Sequence, residues 1–300
     1  MSQRRKIAVI YNERSGQQGQ PVSAQLKDLL TAQGVEFELY EFDPGRVGAL
    51  VLGVLDSSPD AVLAAGGDGT ATSVAQQLVG TSVPLGVLPT GTMNVLARDL
   101  GVPARLDEAV AAVLSAPTHE IDVARVNDRL FLCSTVLAVL PHLGRIRERA
   151  RSAPGPRVVQ LVARTFQTLR TYPRMRLTMD VDGTPHSVRT RAVVVSNNPL
   201  AEGPAPMPGR GRLDTGKLAV YVARDRTRWD LAGIATKVMM GSWKQAKRLR
   251  TYGGESVRID FDGLGMMSVM TDGEVIQLTL PLQFELSPRA LSVLMPGAAS

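Results

Sequence analysis

The chain has 300 residues, 44% of them apolar and 4% aromatic, enough for one large or two medium domains with real cores. Its single cysteine, Cys133, excludes an intramolecular disulfide, and no apolar run reaches the roughly 18 residues of a membrane span. Thirty-four Lys and Arg against 28 Asp and Glu leave a net charge of +6, which permits an anionic partner without naming one.

A short basic lead enters a strand at 6–11, with no run long enough for an export signal, so a cytoplasmic protein is expected. The most apolar stretch, 131–143, is too short for a span and contains Pro141. His119, His142 and His186 lack metal-ligand spacing. The phosphate loop Gly-x4-Gly-Lys-Ser/Thr and the nucleophile elbow Gly-x-Ser-x-Gly are both missing.

After the first strand comes a polar loop, 12–19, and an amphipathic helix, 22–33, ended by Gly34. A strand at 35–42 and a helix at 46–55 follow. A buried strand at 61–65 then feeds the loop Gly66-Gly67-Asp68-Gly69-Thr70, with a helix expected from about Thr72. Glycines let such a loop turn sharply and expose its amides, and a strand entering a helix N-terminus this way makes an anion site. A second unit repeats the pattern: a strand at 85–88, a break at Pro89-Thr90-Gly91-Thr92, and a helix at 94–100. Gly91 allows close approach, and Thr92 offers a hydroxyl, to a ligand or as a helix cap. An ordinary strand-to-helix turn would use the same residue types. Two successive units place both loops at the carboxyl edge of a parallel sheet.

Beyond Pro117 short strands and turn signals take over. Residues 120–126 and 129–134 read as a hairpin across Asn127-Asp128, and 174–181 with 186–196 as another across Asp182-Gly183. Further strands are expected at 217–223, 256–261, 268–271 and 275–280. Asp272-Gly273 is a natural hairpin turn, with Glu274 directly after it. Two basic stretches interrupt this region: 145–176, with an amphipathic helix at 157–170, and a helical 224–250. Such helices suit an anionic membrane surface or a solvated domain face. Few aromatics interleave with the charge, so no nucleic-acid partner is expected.

Gly-Gly-Asp-Gly-Thr at 66–70, Leu-Pro-Thr-Gly-Thr-Met-Asn at 88–94 and Asp-Gly-Glu at 272–274 together resemble the diacylglycerol kinase catalytic family. Those lipid kinases include sphingosine kinases and bacterial relatives. NAD kinases share the fold and the first motif, but the second loop favours the lipid branch. The resemblance implies a Rossmann-like N-terminal domain with a parallel sheet (1–120) and an antiparallel β-sandwich-like C-terminal domain (121–288). A last segment (289–300) would return to the first domain.

It also implies ATP and Mg²⁺ as cofactors, and transfer of the γ-phosphate to a lipid hydroxyl. The nucleotide would be held by Asn12, Ser15, Gly16, Gly66, Gly67, Asp68, Gly69, Thr70, Ala71, Thr72, Thr92 and Asn94. Glu274 would be the catalytic base, with Asp68 and Asp272 beside it in the chemistry. Asp68 would also hold Mg²⁺, and a structural Mg²⁺ would sit among Arg212, Asp214, Thr215 and Lys217, held largely through the main-chain carbonyls of Arg212 and Lys217. The lipid would be met at the inner membrane face by a peripheral protein, with a homodimer left open. The rivals are a nucleotide- or lipid-binding relative without turnover, and a kinase of a soluble acceptor such as NAD.

Several positions depart from the family pattern. Glu13 stands where the first loop usually has Pro, Thr271 where Leu is usual, and Thr215 where Asp is expected. Residues 134–144 lack the Gly-x-Gly-Phe-Asp pattern, and the loop after Ser196-Asn197-Asn198 is rich in proline.

Overall fold

The computed structural model describes residues 5–15, 20–138, 172–202, 208–225 and 227–297. Two compact units divide the chain, Met1–Val123 with Pro288–Ser300, and Ala124–Ser287.

In the first unit β1 (Lys6–Tyr11), β2 (Glu36–Glu41), β3 (Ala61–Gly66) and β4 (Leu85–Pro89) run parallel in the order β2-β1-β3-β4. All six residues of β3 and all five of β4 are buried, as a strand covered on both faces requires. The cover comes from α1 (Val22–Ala32), α2 (Val47–Asp56), α3 (Asp68–Leu78), α4 (Val95–Asp99) and α5 (Leu106–Ser115). On α1 the buried positions Val22, Leu26 and Leu30 recur every fourth residue, one face of a helix. The order of the sheet reverses direction between β1 and β3, which opens a crevice at their carboxyl ends.

The Glu13 departure has a local cause. Pro21 at the N-cap of α1 has no capping side chain, and Glu13 supplies one from outside: its Oε1 accepts Val22 N–H at 2.7 Å and its Oε2 Ser23 N–H at 3.3 Å. Glu13→Ala is expected to lower stability by about 1 kcal/mol, read as a shift of the urea midpoint at unchanged slope.

The chain leaves this unit along β5 (Thr118–Val126) and returns along the last strand, β16 (Leu282–Leu294), whose Val293 pairs in parallel with Leu85. Gly80 N–H donates to Ala290 O at 3.0 Å and Arg289 N–H to Asp122 at 2.9 Å, fixing the returning segment.

The second unit is a sandwich of two sheets. One contains β13 (Ser256–Phe261), β8 (Met175–Val181) and β9 (Thr184–Thr190), with the first part of β16 beside β13 and β6 (Arg129–Phe131) paired to β5. The other is antiparallel, in the order β12 (Leu249–Gly254), β11 (Leu218–Ala223), β10 (Ala192–Asn197), β7 (Ser134–Ala138), β14 (Met266–Thr271) and β15 (Glu274–Thr279). Leu177 and Ile259 of the first face Val193 and Val195 of the second in one core, where the Phe131 and Phe284 rings meet edge-on at 6.1 Å.

Three expectations from the sequence are corrected here. The strand expected at 129–134 is two, because the amides of Leu132, Cys133 and Ser134 turn aside to a carboxylate described below. The strand expected at 186–196 also breaks, since Arg191 leaves the ladder to pair with the buried Asp225, and β9 and β10 join different sheets. Among its described residues the helical stretch 224–250 holds only α6 (Arg228–Met239) and a short 3-10 turn before β12 begins. Trp243 in that turn packs edge-on against Tyr221 at 5.1 Å and donates from Nε1 to Ala201 O at 3.1 Å, which ends the helical path. The helix expected at 157–170 lies outside the described residues. Among the described residues no helix is long and apolar enough to cross a membrane.

Candidate active site

The crevice at the β1–β3 reversal is lined by the ends of three strands. Asn12 follows β1, and its backbone N–H donates to Ala65 O at 2.8 Å. Its Nδ2 donates to Thr70 Oγ1 at 3.2 Å, and Ser15 and Thr90 join hydroxyls at 2.7 Å. The loop after β4 docks on the end of β3, where Gly66 O accepts Thr90 N–H at 3.3 Å and Gly91 N–H at 3.2 Å. Of the expected cradle, Asn12, Ser15, Gly66, Gly67, Thr70 and the loop holding Gly91, Thr92 and Asn94 are therefore brought together. Gly16 lies outside the described residues. Thr90 was not in the expected set; its place directly after a buried strand that ends at Pro89 was the available signal.

The glycines act here by closeness rather than by left-handed backbone. Neither Gly66 nor Gly67 has positive φ. A Cβ on Gly91 would stand 2.4 Å from Gly67 Cα, and one on Gly66 would stand 2.5 Å from Thr70 Cβ. The helix also begins earlier than the sequence suggests, at Asp68 instead of near Thr72. Gly67, extended at φ −88° and ψ −176°, is its N-cap and carries no capping side chain. The first helical bond is Ala71 N–H to Gly67 O at 3.1 Å, so the amides of Asp68, Gly69 and Thr70 receive no carbonyl from the helix itself. Eleven residues of helix dipole point at this spot. Thr70 and Ala71 are buried; Thr70 can offer an anion its main-chain N–H, whereas that of Ala71 is already taken by Gly67 O. Thr72 sits half-buried in the same turn.

Asp68 does not cap its own helix. Its Oδ1 accepts Leu96 N–H of α4 at 3.0 Å, while its Oδ2 has no hydrogen-bond partner among the described residues. This corrects the capping reading of Thr92, which is exposed while α4 takes its carboxylate from Asp68. Asn94 is left-handed at φ +46°, and its Nδ2 donates to Gly91 O at 2.9 Å. Asn94 Oδ1 is shielded from solvent and accepts no hydrogen bond among the described residues. At the end of β1 the Tyr11 hydroxyl is held above the ordinary phenol range, first by desolvation and then by Glu41 and Glu13.

These features fit a nucleotide. Uncapped amides suit its phosphates, and the acceptor on Asn94 suits a hydroxyl or amino donor, which phosphates lack. One carboxylate oxygen on Asp68 suits Mg²⁺, which keeps several waters and binds through one or two carboxylates plus phosphates.

In the second unit the β14–β15 hairpin turns at Asp272 and Gly273, with φ of +45° and +90°, the two left-handed residues of a type I′ turn. The Asp272 carboxylate is clasped by three successive amides: Leu132 at 2.7 Å, Cys133 at 2.9 Å and Ser134 at 3.0 Å. Both oxygens of Asp272, expected among the catalytic groups, are thus engaged by main-chain amides. Asp272→Asn replaces one acceptor oxygen with a donor facing an N–H. A loss of about 2 kcal/mol is expected, measured by urea unfolding. Glu274, next along, pairs through its main chain with Thr271, while its side chain is exposed and makes no hydrogen bond among the described residues. Thr271, the departure before the turn, shares its hydroxyl with Thr135 directly opposite at 3.1 Å, so the two buried polar groups satisfy each other.

The expected structural metal loop is occupied differently. Arg212 grips Asp214 through Nε at 3.0 Å and Nη2 at 3.1 Å. Thr215 donates N–H and Oγ1 to Asn198 Oδ1 at 2.7 and 2.6 Å, and Lys217 O accepts Asn198 N–H at 3.2 Å. The Asp214 carboxylate is thus taken by Arg212, and among the described residues no three His, Cys, Asp or Glu cluster. A missing Asp at position 215 was the sequence signal.

Residues 6–126 match the model of the diacylglycerol kinase catalytic domain, and residues 144–295 match that of the YegS C-terminal NAD kinase beta sandwich-like domain. The chain belongs to the family that joins a diacylglycerol kinase catalytic domain to a YegS C-terminal NAD kinase beta sandwich-like domain. A diacylglycerol kinase of Mycobacterium tuberculosis is 27% identical over 301 residues, covering 97% of this chain and 95% of that one. A probable lipid kinase YegS from Salmonella newport is 42% identical over 74 residues, 23% of this chain and 25% of that one. The crystal structure of a diacylglycerol kinase from Bacillus anthracis superposes with a TM-score of 0.75 at 21% identity, covering 98% of both chains. That last likeness bears on the fold. Membership in this family carries a kinase role with an alcohol acceptor.

Proposed function

We propose that this diacylglycerol kinase family member transfers the γ-phosphate of ATP to a lipid hydroxyl. The observation that carries the reading is the uncapped N-terminus of α3, closed against the Gly91 loop, with the Asp68 carboxylate in its first turn. The amides of Asp68, Gly69 and Thr70 would hold donor phosphates, with Asn12, Ser15, Thr90 and Thr92 around them. Asn94 Oδ1 would take a donor from the nucleoside. Asp68 would hold Mg²⁺, which neutralises charge developing on the phosphates. Glu274 would accept the hydroxyl proton as the new oxygen–phosphorus bond forms and the bond to ADP breaks.

The test is γ-labelled ATP offered with a lipid extract. Label in the lipid phase supports the reading, and label only in water-soluble product favours a soluble acceptor such as NAD. ATP binding without transfer favours a relative without turnover, a reading to which Arg212 on Asp214 lends weight. Asp68→Asn keeps an oxygen for Leu96 N–H but loses the charge. It is expected to fold normally and transfer phosphate at least about 10²-fold more slowly.

A further inference from the structure

Among the described residues, large apolar side chains are exposed at few places, and two of them lie on one side of α6. Trp229 is 67% exposed and Met240, one residue beyond the helix, is 68% exposed. They are eleven positions apart, three helical turns, so they share a face. Between them on that face come Gly233 and Thr236, both exposed and uncharged. The result is a smooth ridge with an apolar group at each end. The opposite side is anchored, with Leu231 buried and the following Trp243 sunk against Tyr221.

The chain from 224 to 250 holds eight Lys and Arg and two Asp. One of those acids, Asp225, is fully buried on Arg191. Hydrogen bonds and an ion pair gather the bases at both ends of the ridge. Arg248 lies 3.5 Å from Asp230, the neighbour of Trp229, and Arg224 N–H donates to Arg248 O at 2.7 Å. At the far end Lys237 Nζ donates to Gln245 O at 2.7 Å, beside Lys244, whose exposed Nζ lies 3.7 Å from Glu202.

We propose that this ridge seats the protein on an anionic lipid bilayer, with Trp229 and Met240 entering the headgroup layer while the flanking bases meet lipid phosphates. Tryptophan favours that layer because its ring is apolar and its N–H polar. Each well-placed base contributes about fivefold in affinity. The seat does not depend on the kinase reading, because vesicle binding is read without nucleotide.

The chain has two tryptophans, one buried at 4% exposure and one exposed, so a blue shift on adding vesicles reports Trp229. The full chain is mixed with phosphatidylglycerol–phosphatidylcholine vesicles, with pure phosphatidylcholine vesicles, and with duplex DNA. The expected result is a blue shift and co-sedimentation with anionic vesicles alone. Trp229→Ala should weaken binding about tenfold or more and Lys244→Glu about fivefold or more, with melting temperatures unchanged. Absent vesicle binding, binding indifferent to both variants, tighter binding to DNA, or Trp229-dependent self-association would each overturn the proposal. Turnover of a dispersed short-chain acceptor should be equal in wild type and Trp229→Ala. A wild type that binds vesicles but transfers no phosphate would remove the kinase reading and leave the seat standing.

Discussion

Glu274→Gln is expected to slow phosphoryl transfer to lipid by about 10²–10⁴-fold while ATP affinity and melting temperature stay at wild-type values. The amide matches the carboxylate in size but accepts a proton poorly. The position tolerates the change because the side chain is exposed at the first residue of β15 and holds no other group among the described residues. The backbone beneath it is fixed by other means: the type I′ turn, and the Asp272 carboxylate on three amides from across the sheet. Single-turnover transfer from labelled ATP, run beside a binding titration, separates loss of chemistry from loss of affinity. Unchanged turnover in this variant would move the proton acceptor elsewhere.

Gly91→Ala is expected to destabilise the first unit by about 4 kcal/mol, or to push the β4 loop away and abolish nucleotide binding. The added Cβ would lie 2.4 Å from Gly67 Cα and 2.9 Å from both Gly67 N and Asn94 Oδ1. The nearest obstacle is main chain, which cannot swing aside as a side-chain tip can. Gly53→Ala is the control. It sits in α2 with nothing within 4 Å of an added Cβ, and alanine there should raise stability by about 0.5–1 kcal/mol. Equal stability of the two variants would mean that the two loops do not approach as closely as the contact requires.

Legibility in the sequence followed locality. The strands at Lys6–Tyr11 and Ser256–Phe261 could be bounded to the residue, because apolar periodicity and flanking turn residues are local signals. The turns at Asn127, Asp182 and Asp272 could be placed because each needs a residue that tolerates positive φ. What escaped depends on distant partners. Asp272 finds its three amides about 140 residues away, and no pattern near it announces that. The break at Arg191 answers to Asp225, 34 residues on. The length of β16 was hidden by Pro288 and the left-handed Arg289 inside it. At the site, the glycine loops were legible as loops and Gly91 as a point of close approach, but the partner it approaches was not. A sequence shows that glycine is present, not that another backbone lies against it. Glu13 as the cap of α1 was closer to reach, since an acid nine residues before a helix that starts at a proline is a visible pairing.

The most direct test is amide hydrogen exchange with and without Mg²⁺–ATP. Slowed exchange at Asp68, Gly69 and Thr70, the uncapped turn of α3, is predicted, with protection extending to the loop from Gly91 to Asn94. Saturating nucleotide that leaves those three amides exchanging at their free rate, with protection appearing at some other part of the chain, would contradict it.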